Sequence, residues 1–126
     1  MKKFKIEITT KLTVTAEDID DIVATALEGG INYWCNRAEV VGDYLGEFAS
    51  DQISRGGVLR LYDAEEDKVY ELTLEKLLHG IQKAYEGLWY IDYGWCDGKT
   101  LDTCQIDADV ADAIVQFGIF DELIYG

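Results

Sequence analysis

The stretch VLRLYDAEEDKVYEL, residues 58–72, decides the fold. Apolar and polar residues alternate on both sides of an acidic AEED loop, which is typical of two strands joined as a hairpin. Each strand then has one face toward a core and one face toward water. We therefore predict antiparallel strands near 58–63 and 68–73.

Charge pairs fix the register of this hairpin. With AEED as a four-residue loop, Asp63 faces Lys68, and Arg60 faces Glu71. The same register brings apolar residues together, in the pairs Tyr62–Val69, Leu61–Tyr70 and Leu59–Leu72. A slip of one residue would break both kinds of pair, so the register is strongly specified.

Three segments have the apolar spacing of amphipathic helices, and each follows a residue type that caps helices. The caps are Thr15, Thr73 and Asp107, and the predicted helices span 16–28, 74–86 and 108–118. We expect Gly29-Gly30 to end the first helix with a left-handed residue. The second helix should bury Leu74, Leu77, Leu78, Ile81 and Tyr85. The third should turn Ala111, Ile114 and Val115 inward, and Asp109, Asp112 and Gln116 outward.

Three further strands are predicted outside the first hairpin. Residues 3–14 alternate, with Phe4, Ile6, Ile8, Leu12 and Val14 on one face. A second hairpin should pair 88–95 with 99–106 through a type I′ turn at Asp97-Gly98. Residues 38–45 fit either a short strand or a bent helix, and 46–57 fit a surface connection. The tail, 117–126, is apolar enough to pack back on the body or to meet a partner.

These elements define an α+β fold. We expect a single domain over residues 1–126, with a mostly antiparallel sheet and three helices packed largely on one face. A chain of this length can bury a core without a metal ion or disulfide bond.

Charge narrows the range of partners. The net charge is −14, from 25 acids and 11 bases, and residues 86–126 hold nine acids but one base, Lys99. Such a surface repels phosphate, so direct nucleic-acid binding is not expected. The negative electrostatic potential of the same surface favours association with basic proteins, including those that bind nucleic acid. No apolar run is long enough to cross a membrane, and no signal-peptide block opens the chain.

Catalytic and metal-binding signatures are weak in this sequence. Cys35, Cys96, Cys104 and His79 could form a Cys₃His zinc set, but they lack a short C-x₂₋₄-C spacing. We expect buried structural thiols instead, and a surface position for His79. No serine elbow, Walker loop, dinucleotide fingerprint or calcium loop is present. We therefore expect a protein that is not an enzyme and needs no cofactor.

A nucleotide site is the alternative interpretation. Arg55 beside Gly56-Gly57 could clamp a phosphate, and Trp34 and Trp89 could stack on a base. Such a protein would be a nucleotide sponge or sensor. A turn next to a core aromatic cluster explains the same residues more simply.

Three blocks, ALEGGINYWC (26–35), GDYLGEFASDQISRGG (42–57) and ADAIVQFGIFDELIYG (111–126), resemble small acidic proteins encoded in prophages and other mobile elements of gut bacteria. That resemblance covers most of the chain, from about residue 12 onward. It implies an anti-CRISPR or other anti-defence context in the cytoplasm of a host bacterial cell. DNA mimics of that kind are often more acidic than this chain, and they lack its basic N-terminal segment.

The resemblance and the charge together suggest an inhibitor that blocks a basic, nucleic-acid-binding host protein, such as a CRISPR effector. The inhibitor would act as a monomer or a homodimer. Its expected contacts combine acids with aromatic anchors, namely Asp97, Asp102, Asp107, Asp109, Asp112, Phe117, Phe120, Asp121 and Glu122. Tyr125 is a further candidate anchor.

Overall fold

The computed structural model describes residues 1–7, 11–87 and 94–126. Within these ranges the chain is an α+β domain of three α-helices and a three-stranded antiparallel sheet. The helices are α1 (Ala16–Thr25), α2 (Leu74–Glu86) and α3 (Ala108–Phe120). The strands are β1 (Cys35–Val40), β2 (Leu59–Asp63) and β3 (Val69–Leu72). A π-helical turn, Ala26–Gly30, extends α1, and 3-10 turns cover Ala49–Asp51 and Thr103–Gln105.

The central hairpin has the register that its charge pattern predicts. In β2 and β3, Leu59 lies opposite Leu72 and Arg60 lies opposite Glu71. β1 pairs with the other edge of β2. Of the segment 38–45 that the sequence left open, residues 38–40 therefore belong to a strand, and residues 41–45 belong to neither a strand nor a helix. The inner face of the sheet is buried, whereas Arg60 on the outer face is exposed and lies near the carboxylates of Glu39 and Glu71. The helices therefore cover one face of the sheet.

The predicted caps of all three helices are confirmed. The Oγ1 atom of Thr15 accepts a hydrogen bond from the Asp18 N–H, and Thr73 caps α2 in the same way. Asp107 Oδ1 accepts from the Val110 N–H at 2.9 Å. These side chains satisfy N–H groups that have no partner within their helix.

The end of the first helix differs from the prediction. Neither Gly29 nor Gly30 has a left-handed backbone conformation, and both lie in the π-helical turn. Gly30 is required for another reason, because a Cβ atom there would lie 2.7 Å from the carbonyl oxygen of Ala108. This glycine therefore allows the end of the first helix to approach the start of α3 closely.

α2 and α3 also cross at glycines. A Cβ atom on Gly80 would lie 2.0 Å from the Ile114 carbonyl oxygen, and one on Gly118 would lie 2.3 Å from that of Lys76. The buried stripe of α2 shifts accordingly to Leu77, Gly80, Ile81 and Ala84. The prediction that Leu78 is buried is wrong, since 41% of this residue is exposed.

The predicted strand at 3–14 is wrong in its described parts. Residues 1–7 and 11–14 contain no strand, and Thr13 forms only an isolated bridge with Thr100. Phe4 and Ile6 are 87% and 81% exposed. Alternation specifies a strand only when a neighbouring strand and a core accept it, and residues 1–7 have neither among the described residues. Residues 8–10, which include Ile8 of the predicted strand, lie outside the described residues.

Of the predicted second hairpin, the described residues contain a tight turn. Residues 88–93 lie outside the described residues, and beyond them Cys96 and Leu101 form an isolated antiparallel bridge. Gly98 is left-handed, but Asp97 is not, so the turn is not type I′. Instead, the Asp97 carboxylate accepts hydrogen bonds from the Lys99 and Thr100 N–H groups, each at 2.8 Å. No described helix has the length and apolar character needed to span a bilayer.

Candidate functional site

The fold brings together two segments that contain no lysine or arginine. Residues 12–36 carry five acids, and residues 100–126 carry six. The close contact of Gly30 with Ala108 joins these segments at one point. At another, the Thr103 hydroxyl donates to Asp21 Oδ2 at 2.7 Å. These two contacts hold the acid-rich, base-free segments side by side.

We call this side the acidic face and define it by six exposed carboxylates. α1 and its π-helical turn contribute three of them, and the segment leading into α3 together with the first turn of α3 contributes the others. They are Glu17, Asp21, Glu28, Asp102, Asp107 and Asp109. Asp102 and Asp107 also accept backbone hydrogen bonds, from Cys104 and Val110, but their exposure leaves carboxylate lone pairs open to a partner.

Two acids of the expected contact surface lie elsewhere and are partly used. The Asp97 carboxylate stabilises the turn at 97–100 by accepting hydrogen bonds from the Thr100 and Lys99 N–H groups. These bonds lower the pKa of the Asp97 carboxyl. Asp121 is the left-handed cap of α3, where its Oδ1 lies 2.5 Å from His79 Nε2 and 3.3 Å from Lys83 Nζ. Its pKa is lowered, first by His79 and then by Lys83. Asp121 and Glu122 are both exposed, but the carboxylate of Asp121 already pairs with His79 and Lys83.

Asp112 is not on the surface, contrary to the prediction. It is 9% exposed, and its carboxylate is the centre of a hydrogen-bond network. The Tyr33 hydroxyl donates to Oδ2 at 2.6 Å, while Trp34 Nε1 and Gln116 Nε2 donate to Oδ1 at 2.8 and 2.9 Å. None of these donors is charged. The buried carboxyl group is therefore satisfied by three hydrogen bonds in place of water, and not by an ion pair. Asp112 therefore cannot contact a partner directly.

Gln116 is also buried, at 1% exposure, and holds the tail of the chain. Its Oε1 accepts from the N–H groups of Ile124 and Tyr125, each at 2.9 Å. Because Gln116 Nε2 donates to Asp112, one amide links the tail to the buried network. The tail packs back on the body, which was one of the two alternatives that its apolar sequence allowed.

Tyr125 completes this attachment. Its ring stacks on Trp34 with centroids 4.8 Å apart, and its hydroxyl donates to Asp63 and meets the Tyr70 hydroxyl at 3.0 Å. Burial and the hydrogen bond to Asp63 raise the pKa of Tyr125, while the same bond lowers the pKa of Asp63. Tyr125 is thus an internal contact and not a free anchor.

The predicted aromatic anchors on α3 are internal as well. Phe120 is half-buried and packs edge-on against Trp34 and Tyr70, with centroid distances of 5.9 and 4.7 Å. Phe117 is half-buried against the core. A partner could reach only the rims of these rings, so an apolar anchor must be sought elsewhere.

The cysteines follow the expectation of buried thiols at two of three positions. Cys35 and Cys96 are buried, but the prediction is wrong for Cys104, which is exposed. His79 lies on the surface, as expected, and is paired with Asp121. Burial raises the pKa of the Cys35 thiol. In residues 1–7, 11–87 and 94–126, no group of three His, Cys, Asp or Glu side chains is arranged to hold a metal ion.

The alternative nucleotide site is not assembled in the described part of the chain. Arg55 donates to the Asp51 carbonyl at 3.3 Å, and Gly56 is left-handed, as a turn requires. The position of a Gly57 Cβ atom is filled by the Gln52 side chain. Trp34 is 3% exposed and stacked under Tyr125, so it offers no face to a base. Trp89 lies outside the described residues.

An open cavity of about 570 Å³ borders the buried network and the tail. Tyr33 lines it with its ring, while its hydroxyl turns inward to Asp112. Asp109 on the acidic face and Leu123 in the tail line the opposite parts of the cavity. The network is therefore accessible to solvent along one side, which makes Tyr33 a suitable probe of it.

Tyr33 should ionise late in the native protein. Burial of its hydroxyl and the hydrogen bond to Asp112 raise the pKa of Tyr33 from 10.0 to about 12. Because the native state then holds this proton more tightly than the unfolded chain, the associated stability is present below about pH 10 and is lost as pH rises through about 12. A tyrosinate absorbance titration of Tyr33→Phe should lack one late-ionising group.

The matched control is Tyr44→Phe, which removes a tyrosine that is 61% exposed. The two variants lose the same chromophore, so only its position differs. If both titration curves lose the same portion of the wild-type curve, Tyr33 does not donate to a buried carboxylate.

Comparisons with known proteins add no function to this geometry. No protein-family model matches the sequence, and neither a curated protein nor a solved structure is significantly similar to the chain. Function is therefore inferred from the surface of this chain alone.

Proposed function

We propose that the protein is an inhibitory binding protein of a mobile genetic element, of the anti-CRISPR or other anti-defence type. Its acidic face would block a basic, nucleic-acid-binding host protein, such as a CRISPR effector, in the cytoplasm of a bacterial host. One observation supports this proposal most strongly. Two base-free segments, 12–36 and 100–126, meet to form a single acidic face.

Carboxylates on such a face compete with phosphate for the same side chains. Arginine binds carboxylates and phosphates with the same bidentate geometry, and lysine binds both as a point charge. The field of the face would accelerate encounter with a basic partner at low salt, and added salt would screen it. Direct binding to nucleic acid would be unfavourable for the same reason.

A binding role is also consistent with how the buried polar groups are used. The side chains of Asp112 and Gln116 form hydrogen bonds with Tyr33, Trp34, each other and the tail, so they stabilise the fold. His79 is exposed and lies against Asp121, outside any enclosed cleft. We therefore propose a protein that acts without catalysis or a cofactor, as a monomer or a homodimer.

The test is capture of partners from host lysate with a charge-reversed face. Glu17→Lys with Asp109→Lys changes two exposed carboxylates of the acidic face and leaves buried Asp112 intact. Wild type should recover nucleic-acid-binding proteins, and the yield should fall as salt rises. The face variant should lose these proteins.

The matched control reverses Glu65 and Asp67, two exposed acids of the hairpin loop that are not among the six carboxylates of the face, so it changes the net charge equally. It should retain every partner. Circular dichroism and thermal melting establish that each variant is folded. The proposal fails if the face variant keeps all partners, or if wild type recovers no nucleic-acid-binding protein.

A further inference from the structure

An apolar groove borders the acidic face. It lies between the end of the first helix and the connection that follows β1, and its volume is about 320 Å³. The helix side contributes Ala24, Leu27 and Glu28, and the connection contributes Phe48 with the start of the Ala49–Asp51 turn. We call it the Phe48 groove. Its one charged lining residue, Glu28, is an acid of the acidic face.

The connection beside the groove exposes large apolar side chains close together in sequence. Phe48, which lines the groove, is 60% exposed, and Tyr44 and Leu45, which precede it, are 61% and 49% exposed. Large apolar side chains that are exposed together often mark an interaction site. Aromatic residues supply much of the binding energy when a partner covers them.

Hydrogen bonds to the side chains of Gln52 and Asp51 hold the connection in place. Gln52 is 1% exposed, and its side chain accepts from the Leu45 N–H at 3.0 Å and donates to the Asp43 carbonyl at 3.2 Å. The Phe48 N–H donates to Asp51 Oδ2 at 3.2 Å. A loop fixed in this way loses less conformational entropy when it binds, which favours affinity.

Charge around the groove identifies its occupant. Asp43 and Glu47 are exposed in the same connection, and Glu28 lines the groove itself. Two bases are nearby, and both have partners. Arg55 lies against Gly46 and donates to the Asp51 carbonyl, and Arg37, which lines a neighbouring cavity with Leu27, pairs with Glu39. A complementary ligand therefore carries apolar side chains flanked by lysine or arginine.

We propose that the Phe48 groove binds a basic amphipathic segment of the partner protein. An apolar side chain of that segment fills the groove, and its flanking cations pair with Glu28, Asp43 and Glu47. This inference rests on the proposed function and supplies the apolar contact that the acidic face lacks. Exposed ion pairs alone give little affinity, and the predicted anchors Phe117 and Phe120 are half-buried against the core.

A defined peptide pair tests the proposal by NMR titration. One synthetic helical peptide carries lysine and leucine on opposite faces, and its partner replaces each leucine with glutamine at the same charge. The leucine peptide should shift the amide signals of residues 24–28 and 43–51 and should bind at least tenfold more tightly. Equal affinity of the two peptides would overturn the inference.

Phe48→Ala should weaken the leucine peptide about tenfold, whereas Leu78→Ala should leave its affinity unchanged. Leu78 is the control because it is also an exposed apolar side chain, at 41%, but lies on α2. If Phe48→Ala and Leu78→Ala bind the peptide equally, the groove is not the site.

The same variants separate this inference from the proposed function. If wild type and Phe48→Ala capture the same nucleic-acid-binding proteins with equal yield, the groove inference fails and the proposed function stands. If the peptide binds at the groove but no such protein is captured from lysate, the proposed function fails and the groove remains a site for basic amphipathic segments.

Discussion

Gly80→Ala is expected to destabilise the protein by about 3 kcal/mol or more, which is at the upper end for overpacking of a core. The new methyl group would lie 2.0 Å from the carbonyl oxygen of Ile114 and 3.0 Å from the backbone nitrogen of Gly118. Backbone atoms of a packed helix cannot move away individually, so α3 as a whole would have to separate from α2. Urea unfolding followed by circular dichroism measures the loss.

Gly29→Ala is the matched control for this substitution. Nothing lies within 4 Å of a Cβ atom on Gly29, and the residue has no left-handed conformation. Alanine should therefore be neutral there, or stabilising by up to ~1 kcal/mol, because it restricts the unfolded chain more than glycine does. Losses within ~1 kcal/mol of each other for the two variants would mean that α2 and α3 do not cross at Gly80.

Asp112→Leu is expected to have the second large effect, a loss of about 2–4 kcal/mol in the free energy of unfolding. The substitution leaves the buried donor Trp34 Nε1 without its acceptor. It also removes the shortest hydrogen bond of Gln116 Nε2, which keeps the Tyr33 hydroxyl and the Tyr125 carbonyl as acceptors at 3.2 and 3.4 Å. Each unsatisfied buried group costs about 1–3 kcal/mol. The Tyr33 hydroxyl can turn to water, since 53% of this residue is exposed. Denaturant unfolding measures the loss, and tryptophan fluorescence reports the change around Trp34.

Two further variants make this prediction specific. Asp112→Asn keeps an acceptor oxygen of nearly the same shape, so it should cost less than leucine. Asp109→Leu changes an exposed acid on the same helix and should cost no more than about 1 kcal/mol, through loss of a favourable charge in the first turn. Equal losses for Asp112→Leu and Asp109→Leu would contradict the buried network.

Features that depend on neighbours in sequence could be predicted. The β2–β3 register follows from charge and apolar pairs on both sides of one short loop, and Thr15, Thr73 and Asp107 cap the helices that begin directly after them. In each case the deciding interactions join residues that are close in the chain. Local chemistry is sufficient for such elements.

Features that depend on distant residues could not be predicted. Asp112 and Gln116 follow Asp109 at helical spacing and look like one polar stripe, but Trp34 and the tail cover the later part of that stripe. One sequence signal was available, because α3 is apolar on its other sides, as helices buried all round are. The left-handed prediction at Gly29-Gly30 failed similarly, since the contact with Ala108 is distant in sequence.

The acidic face depends on the same long-range packing. Neither base-free segment is a face by itself, and the contact of Gly30 with Ala108 and the hydrogen bond of Thr103 to Asp21 bring the two together. The residues proposed to meet a partner are consequently those of the acidic face and of the Phe48 groove. Of the aromatic residues that the sequence suggested as anchors, Phe120 and Tyr125 pack against each other and attach the tail, and Phe117 packs against the core.

Competition with nucleic acid for a recovered host partner tests the central claim most directly. The partner is loaded with labelled nucleic acid, the protein is titrated in at low and at raised salt, and fluorescence anisotropy follows the bound fraction. Wild type should release the nucleic acid, and more protein should be needed as salt rises. The variant with Glu17→Lys and Asp109→Lys should not release it, while the hairpin-loop control should act as wild type. A partner that holds the protein and its nucleic acid together, with no release at any salt concentration, would contradict the claim.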